Sequence, residues 1–212
     1  MDESRAEILE DVRARICLAP VGRPYVIHEG ELAAAHGVSR SPVRQVLQRL
    51  EIEGFVEVRV GVGTVATELV EPDRFAAFKV YQELAAAAAN CSEGYSISDD
   101  VHVELGGLTG LIAYTRNRSA ADYVRVFGHV GSAMSDLVRD PVLKHAMSIA
   151  HWRVMRWRTR DFIERPDETW NSLAVNVKAV ADSLVSDDAA VVLRTAAGIS
   201  GRFLSPQVVS TA

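Results

Sequence analysis

The sequence has little cysteine, no long apolar run and no excess of positive charge, and each shortage excludes a class of protein. Two cysteines among 212 residues allow at most one disulfide, so we expect small buried thiols in a reducing compartment. No apolar run approaches the ~18–20 residues that cross a bilayer. The N-terminal segment MDESRAEILEDVRARI is acidic and charged throughout, unlike a signal peptide. These shortages predict a soluble, cytoplasmic protein.

The net charge of −5 argues against a protein that coats nucleic acid or membranes by bulk attraction. The first 70 residues hold eight Arg and no Lys against eleven Asp and Glu, a net charge of −3. Contact with nucleic acid must therefore come from a local arrangement of side chains. Four of the eight arginines do fall within twenty residues, namely Arg40, Arg44, Arg49 and Arg59.

The sequence also lacks the common catalytic motifs. It contains no Gly-x-Ser-x-Gly, no P-loop, no HExxH and no Cys-x-x-Cys. Gly106, Gly107 and Gly110 do not follow a predicted strand, so they are not a phosphate-binding loop. We therefore predict that the protein is not an enzyme and has no cofactor.

Three helical patterns and a hairpin pattern occupy the N-terminal third of the chain. Apolar spacing and turn residues predict helices over 4–17, 29–36 and 39–53, followed by strands over 55–60 and 62–67. The glycine-rich turn at Gly61 and Gly63 suits a β-hairpin. Three helices and a hairpin are the arrangement of a winged helix-turn-helix, which we assign to residues 1–69.

The third helix has two unlike faces. Val43, Val46, Leu47 and Leu50 recur at the spacing of one buried stripe. The opposite face carries side chains that can form hydrogen bonds with base edges and phosphates. These side chains are Ser41, Arg44, Gln45 and Gln48.

The remainder of the chain, residues 70–212, shows helical patterns and no convincing strand. The predicted helices cover 72–92, 97–116, 120–138, 141–163, 167–185 and 187–204. We expect Asp140 and Asp187 to cap two of them. The predicted fold class is therefore mainly α: a winged helix-turn-helix of three helices and a β-hairpin, followed by an all-α helical bundle.

The N-terminal motifs resemble a known family. ELAAAHGVSRSPVRQVLQRLEIEGFVEVRVGVGTVA (31–66) closely resembles the DNA-binding domain of the GntR family of bacterial transcription regulators. FKVYQELAAAAA (78–89) and DPVLKHAM (140–147) resemble the FCD effector domain of the FadR-like subgroup. The resemblance implies a homodimeric transcriptional regulator, by family habit a repressor, that binds a palindromic operator and responds to a small metabolite.

The resemblance also implies which residues contact DNA. Arg40 and Arg44 match arginines that contact bases and phosphates, Ser39 and Ser41 match hydroxyl positions near phosphates, and Gly63 with Thr64 matches the wing tip. Arg49 is either a phosphate contact or the partner of Glu53 one turn later. The candidate DNA-binding residues are Ser39, Arg40, Ser41, Arg44, Gln45, Gln48, Arg49, Arg59, Gly63 and Thr64.

The chain departs from the family pattern in its charges and in its metal site. Gly30 replaces an arginine, and the wing tip Val60-Gly61-Val62-Gly63 lacks basic residues, so we expect weak affinity per protomer. Many relatives bind a metal through one Asp and three His. Alignment on Asp140-Pro141 places Phe127, Gly131, Val177 or Lys178, and Ala196 at those positions. We predict that the family metal site has been lost.

Candidate effector-binding residues are Lys79, His129, Arg153 and Arg156. Arg153, Arg156 or Lys79 would suit a carboxylate, and His129 would be a pocket residue or a vestigial metal ligand. Three of them have a structural alternative: His129 suits a partly buried histidine, and the two arginines suit a solvated or dimer-interface face beside a core stripe of Trp152, Met155 and Phe162. An alternative function is a helical ligand-sensing or protein-interaction module whose winged helix does not bind DNA. The acidic net charge is the best support for that alternative.

Overall fold

A computed structural model describes residues 3–20 and 22–202, and the chain divides into two compact units at Val70. The first unit, called here the winged-helix unit, contains four short segments around two longer helices. Its elements are α1 (Glu3–Leu18), β1 (Val26–Ile27), α2 (Glu29–Ala35), α3 (Arg40–Ile52), β2 (Val56–Arg59) and β3 (Gly63–Ala66).

The three strands form one antiparallel sheet in the order β1-β3-β2. Val58 pairs with Thr64 across the predicted hairpin, and Val26 pairs with Val65 on the other edge of β3. The sequence did not predict β1, because two residues are too short to show the alternation that identifies a strand.

The core of the winged-helix unit joins α1, α3 and the sheet. The apolar stripe of α1 is buried together with Phe55 and Val65. Gly54, at φ +79°, ends the turn after α3 and lets the Phe55 amide donate to the Leu50 carbonyl at 2.8 Å. Strand β2 therefore begins against the end of α3. This packing fixes which face of α3 stays exposed.

A buried ion pair links α1 to the end of α3. Arg13 is 3% exposed and contacts Glu53, whose carboxylate also accepts a hydrogen bond of 2.7 Å from Nε of Arg49. The Arg13 guanidinium lies 5.5 Å from the centre of the Phe55 ring. Burial lowers the pKa of Arg13, and this effect outweighs the opposing effect of Glu53. The predicted pairing of Arg49 with Glu53 is confirmed.

The second unit, called here the helical unit, is a bundle of six helices. They are α4 (Pro72–Cys91), α5 (Asp99–Tyr114), α6 (Ala120–Asp136), α7 (Pro141–Glu164), α8 (Pro166–Ser183) and α9 (Ala189–Arg202), with a 3₁₀ turn at Leu184–Ser186. The predicted fold class, a winged helix-turn-helix followed by an all-helical bundle, is confirmed. Within residues 3–20 and 22–202, no helix is long and apolar enough to cross a membrane.

One of the two predicted helix caps is correct. The Asp140 carboxylate accepts hydrogen bonds from the amides of Val142 and Leu143, as expected. The prediction for Asp187 is wrong, since it adopts a φ of +48° and its carboxylate accepts from the amide of Ile97. The neighbouring Asp188 caps α9 instead by accepting from the Ala190 amide at 2.8 Å.

The expectation about the cysteines is half correct. Both are free thiols, but only Cys17 is buried, and Cys91 is exposed at the end of α4. An exposed thiol at a helix end contributes little to the core.

One contact between α6 and α7 depends on a glycine. A Cβ built on Gly131 would lie 2.2 Å from Cδ2 of His151, which is itself buried on α7. Real side chains essentially never approach so closely. Gly131 therefore leaves the space that the imidazole of His151 occupies.

This contact predicts opposite effects for two glycine substitutions. Gly131→Ala should destabilise the helical unit, because overpacking costs about 1–3 kcal/mol and the gain in helix propensity is only about 1 kcal/mol. Gly110→Ala is the matched control, since no described atom lies within 4 Å of the added carbon, and it should stabilise α5. Urea unfolding followed by tryptophan fluorescence measures both effects. Equal stabilisation by the two substitutions would show that His151 moves aside freely.

Candidate functional site

The exposed face of α3 is the first candidate site. The four predicted apolar residues of this helix are buried, whereas Arg40, Ser41, Arg44, Gln45 and Gln48 are exposed. Ser39 occupies the N-cap position with an extended backbone, but its hydroxyl makes no capping hydrogen bond. One side of the helix therefore presents two guanidinium groups, two amides and two hydroxyls to the surroundings.

Most arginines near this face already have a partner within the winged-helix unit. Nε of Arg44 donates to the Glu29 carboxylate at 2.8 Å, and Arg59 pairs with Glu57 on the same strand. Arg5 on α1 donates to the Gln45 side-chain oxygen at 2.8 Å. Arg44 is nevertheless 61% exposed, so a duplex can reach it in exchange for Glu29.

Arg40 is in a different environment. It forms no ion pair with another described residue, and its guanidinium lies beside Gly30, where an added Cβ would be 3.4 Å from a terminal nitrogen. A Cβ at position 30 would therefore make an ordinary van der Waals contact with Arg40, and the glycine adds no charge beside it. The two arginines at the start of α3 differ in consequence: Arg40 is already available, and Arg44 must leave a carboxylate.

The wing is short and nearly uncharged. Gly61 and Gly63 adopt φ of +78° and +109°, which lets β2 and β3 reverse direction tightly. Val60 and Val62 are exposed at the tip, whereas Thr64 is partly buried between its neighbouring strands. Arg59 is the one cation of residues 55–67, so the wing can approach a phosphate backbone closely but neutralises little of its charge.

The second candidate site is a cleft inside the helical unit. Its space measures about 620 Å³ when the open mouth is included. Its walls come from α4, α6, α7, α8 and α9. The lining residues are mostly aromatic and aliphatic: Phe78, Tyr81, Tyr123, Phe127, Val130, Met134, His151, Val154, Arg158, Leu173, Asn176, Val177, Val180, Ala196, Ile199 and Ser200.

Charge at this cleft is concentrated at Arg158 and is balanced by a buried carboxylate. Arg158 donates to Asp161 at 3.0 Å, and Arg74 of α4 donates to both oxygens of the same carboxylate at 2.8 and 2.9 Å. Asp161 is 2% exposed. Burial raises the pKa of Tyr123, although Arg158 acts in the opposite direction.

The predicted effector-binding residues do not line this cleft. Lys79, His129 and Arg153 are exposed on the bundle surface, and Lys79 pairs with Glu83. Their assignment as effector ligands stays a prediction. The structural alternatives for His129 and Arg156 are wrong, because His129 is exposed and Arg156 is buried. The core stripe of Trp152, Met155 and Phe162 is buried as expected.

Sequence reasoning missed Tyr81, Arg158 and Asn176 as cleft residues. α7 is buried on almost every side between residues 150 and 162, so its sequence shows no polar stripe that would distinguish Arg158 from Arg156. Tyr81 lies in the segment that resembles the effector domain, but nothing in its spacing marks it. A sequence signal for Asn176 is also absent, since it stands alone among apolar residues.

The positions aligned with the family metal ligands do not suit a metal. Phe127, Val177 and Ala196 all line the cleft, and each presents only carbon to it. At the second position, the His151 ring fills the space that a side chain on Gly131 would need. Among the described residues, no three His, Cys, Asp or Glu side chains form a cluster that could hold a metal ion. The residues present therefore do not fit the metal of the relatives.

Comparisons with known proteins find similarity to other proteins in both units of the chain. Residues 5–65 match the family described as "Bacterial regulatory proteins, gntR family". A "Probable D-xylose utilization operon transcriptional repressor" of Paenarthrobacter nicotinovorans is 25% identical over 180 residues, which are 85% of this chain and 67% of that protein.

Two solved structures share the fold at low sequence identity. E. coli McbR/YncC is 16% identical with a TM-score of 0.64, and the match covers 96% of each chain. A putative GntR transcriptional regulator from Rhodococcus sp. RHA1 is also 16% identical, with a TM-score of 0.52 over 94% of this chain and 93% of that one.

Proposed function

We propose that this chain, a member of the GntR family of DNA-binding transcriptional regulators, acts as a dimeric repressor whose hold on a palindromic operator is changed by a small molecule. The observation that carries the proposal is the exposed face of α3. It presents Arg40, Arg44, Gln45 and Gln48 on a helix whose opposite side is anchored in the core.

In this proposal α3 enters the major groove, where guanidinium groups recognise guanine. Arg40 and Arg44 would donate to O6 and N7 of guanine, and each such bidentate contact contributes about 1–3 kcal/mol of discrimination. Gln45 and Gln48 carry amides that suit adenine. Arg44 reaches DNA by exchanging Glu29, which reduces its net contribution to affinity.

Two copies are needed because one unit offers few charges to the phosphates. Two α3 helices related by a two-fold axis read two half-sites with the same symmetry. The wing, with Gly63 and Thr64, lies along the minor groove and adds contacts by shape. The two α3 helices of a dimer must have a particular spacing to fit DNA. A ligand in the helical unit changes operator binding only if its affinity for the dimer differs between this spacing and others.

Repression is proposed from the relative of Paenarthrobacter nicotinovorans, which carries that description. A regulator that binds an operator without further contacts blocks transcription by occupying the site. The opposing hypothesis, a winged helix that binds protein, draws on the net charge of −5 and on the carboxylates beside Arg44 and Arg59. The two hypotheses differ in how salt affects binding.

Replacing Arg44 with alanine should weaken operator binding about 5- to 150-fold, as expected from the loss of about 1–3 kcal/mol. An operator is first selected from random duplexes, and affinity is then measured by fluorescence anisotropy between 50 and 200 mM salt. If phosphates are bound, log K should fall by about 0.9 per phosphate contact for each log unit of salt. Arg44→Ala should also relax base preference at one position of each half-site.

Lys178→Ala is the matched control, because it removes one exposed positive charge from α8, in the other unit. It should leave operator affinity nearly unchanged. Equal binding of all duplexes by the parent and by Arg44→Ala would contradict the role of Arg44. A chain that binds no duplex at low salt would favour the protein-binding hypothesis.

A further inference from the structure

We infer that the cleft of the helical unit binds an uncharged, largely apolar molecule with an aromatic ring, and that it does so without a metal. This inference deepens the proposed function, because it gives the chemical class of the small molecule that the regulator senses. It concerns the cleft alone, so the ligand can be tested without DNA.

The walls of the cleft favour an aromatic ring. Phe78, Tyr81, Tyr123 and Phe127 supply four rings, and aliphatic side chains fill most of the remaining wall. Tyr123 and Phe127 are tilted at 59° with centres 5.9 Å apart, and Phe127 meets the His151 ring edge-on at 4.6 Å. Tilted and edge-on ring surfaces accept a further ring in the same geometries.

Two neutral groups in the cleft can still form hydrogen bonds with a ligand. The Tyr81 hydroxyl and the Asn176 side-chain amide form no hydrogen bond with another described residue. Burial raises the pKa of Tyr81 to about 12, so the phenol stays neutral near pH 7. Both groups are open to water in the cleft, and a ligand carbonyl, amide or hydroxyl can take the place of that water.

The charged group of the cleft is already engaged. Arg158 donates to Asp161, and a ligand carboxylate would have to leave water and share Arg158 with that buried anion. Transfer of an ionised carboxylate to an apolar site is expensive unless its charge is fully paired. A neutral molecule avoids this cost and keeps the apolar contacts.

The part of the wall formed by Phe127, Val177, Ala196 and His151 offers no ligand to a metal ion. Phe127, Val177 and Ala196 present carbon, and Nε2 of His151 donates to the Phe127 carbonyl at 2.9 Å. A donating nitrogen carries a hydrogen and cannot bind a metal in that state. The shape and chemistry of the wall therefore suit direct contact with an apolar ligand.

The test compares benzamide with benzoate, which have nearly the same shape and differ in charge. Ligand-observed NMR on the full chain should show benzamide binding at least tenfold more tightly than benzoate. Treatment with EDTA, or addition of zinc or nickel, should change neither affinity. Tighter binding of benzoate, or binding of either probe only with metal, would overturn the inference, as would the absence of benzamide binding.

Two variants locate the binding in the cleft. Tyr81→Phe removes only the hydroxyl and should weaken benzamide several-fold. Asn176→Phe fills the partly exposed side of the cleft and should abolish binding, with circular dichroism showing that each variant is folded. Unchanged benzamide affinity in both variants would place the binding elsewhere and overturn the assignment of the cleft.

Operator affinity is measured separately, with and without benzamide. If benzamide binds without changing operator affinity, the cleft and its ligand class are supported, but the role of the cleft in regulation is contradicted. Failure of the chain to bind DNA, with benzamide still bound, would contradict the proposed function alone.

Discussion

Replacing Arg13 with alanine is expected to lower the free energy of unfolding of the winged-helix unit by about 3 kcal/mol, because it leaves a buried carboxylate without its main partner. Arg13 and Glu53 are 3% and 2% exposed, so water cannot replace the lost contact. Arg49 still donates to Glu53, which keeps the expected loss at the lower end of the range for broken buried pairs. The same substitution removes the guanidinium from the Phe55 ring.

The positions of the tryptophans distinguish unfolding of the winged-helix unit from unfolding of the helical unit. Trp152, Trp157 and Trp170 all lie in the helical unit, so their fluorescence reports its unfolding, whereas far-ultraviolet circular dichroism reports both units. Arg13→Ala should lower the urea midpoint seen by circular dichroism by about 1 M or more. Arg15→Ala, which removes an exposed pair with Asp11, is the control and should cost less than about 1 kcal/mol. Equal losses in the two variants would refute the importance of burial.

Replacing Asp161 with asparagine is expected to destabilise the helical unit by about 3–5 kcal/mol, since it removes a buried negative charge that Arg74 and Arg158 share. Arg158 is buried and would keep its positive charge beside a neutral amide. Arg74 is half-buried, and its guanidinium lies 5.6 Å from the centre of the Trp157 ring, so its position should also change.

Tryptophan fluorescence is the direct measurement for this variant, because Trp157 adjoins Arg74. The urea midpoint followed by fluorescence should fall, and a double-mutant cycle with Arg158→Met should give a coupling energy above about 0.5 kcal/mol. Asp182→Asn removes an exposed partner of Lys178 and serves as the control, with an expected loss below about 1 kcal/mol. If Asp161→Asn also lowers the free energy of unfolding by less than about 1 kcal/mol, water must reach Arg158.

Local patterns in the sequence were enough to predict the fold class and the exposed face of α3. The spacing of Val43, Val46, Leu47 and Leu50 defines a stripe that can only point inwards, so the side that faces solvent follows from helix geometry. Asp140 before Pro141 marks a helix start for an equally local reason. β1 could not be predicted, because its two residues gain their conformation from pairing with β3.

Contacts between distant residues decide what the candidate sites can do, and the sequence does not show them. Glu29 and Arg44 are fifteen residues apart, and Arg13 and Glu53 are forty apart. The cleft is formed by five helices, and α7 carries arginines on several sides of a buried helix. Which of those arginines faces the cleft depends on packing, and this is why Arg158 was missed and Arg156 was misplaced.

The fit of the His151 ring against Gly131 restricts how this chain could acquire the metal-ligand set that the family resemblance implies for other members. A histidine introduced at 131 has no room while residue 151 keeps its ring, so that change is harmful on its own. A smaller side chain at 151 would have to come first, and it would bring no benefit until changes at 127, 177 and 196 followed. The order of substitutions is thus constrained by one steric overlap.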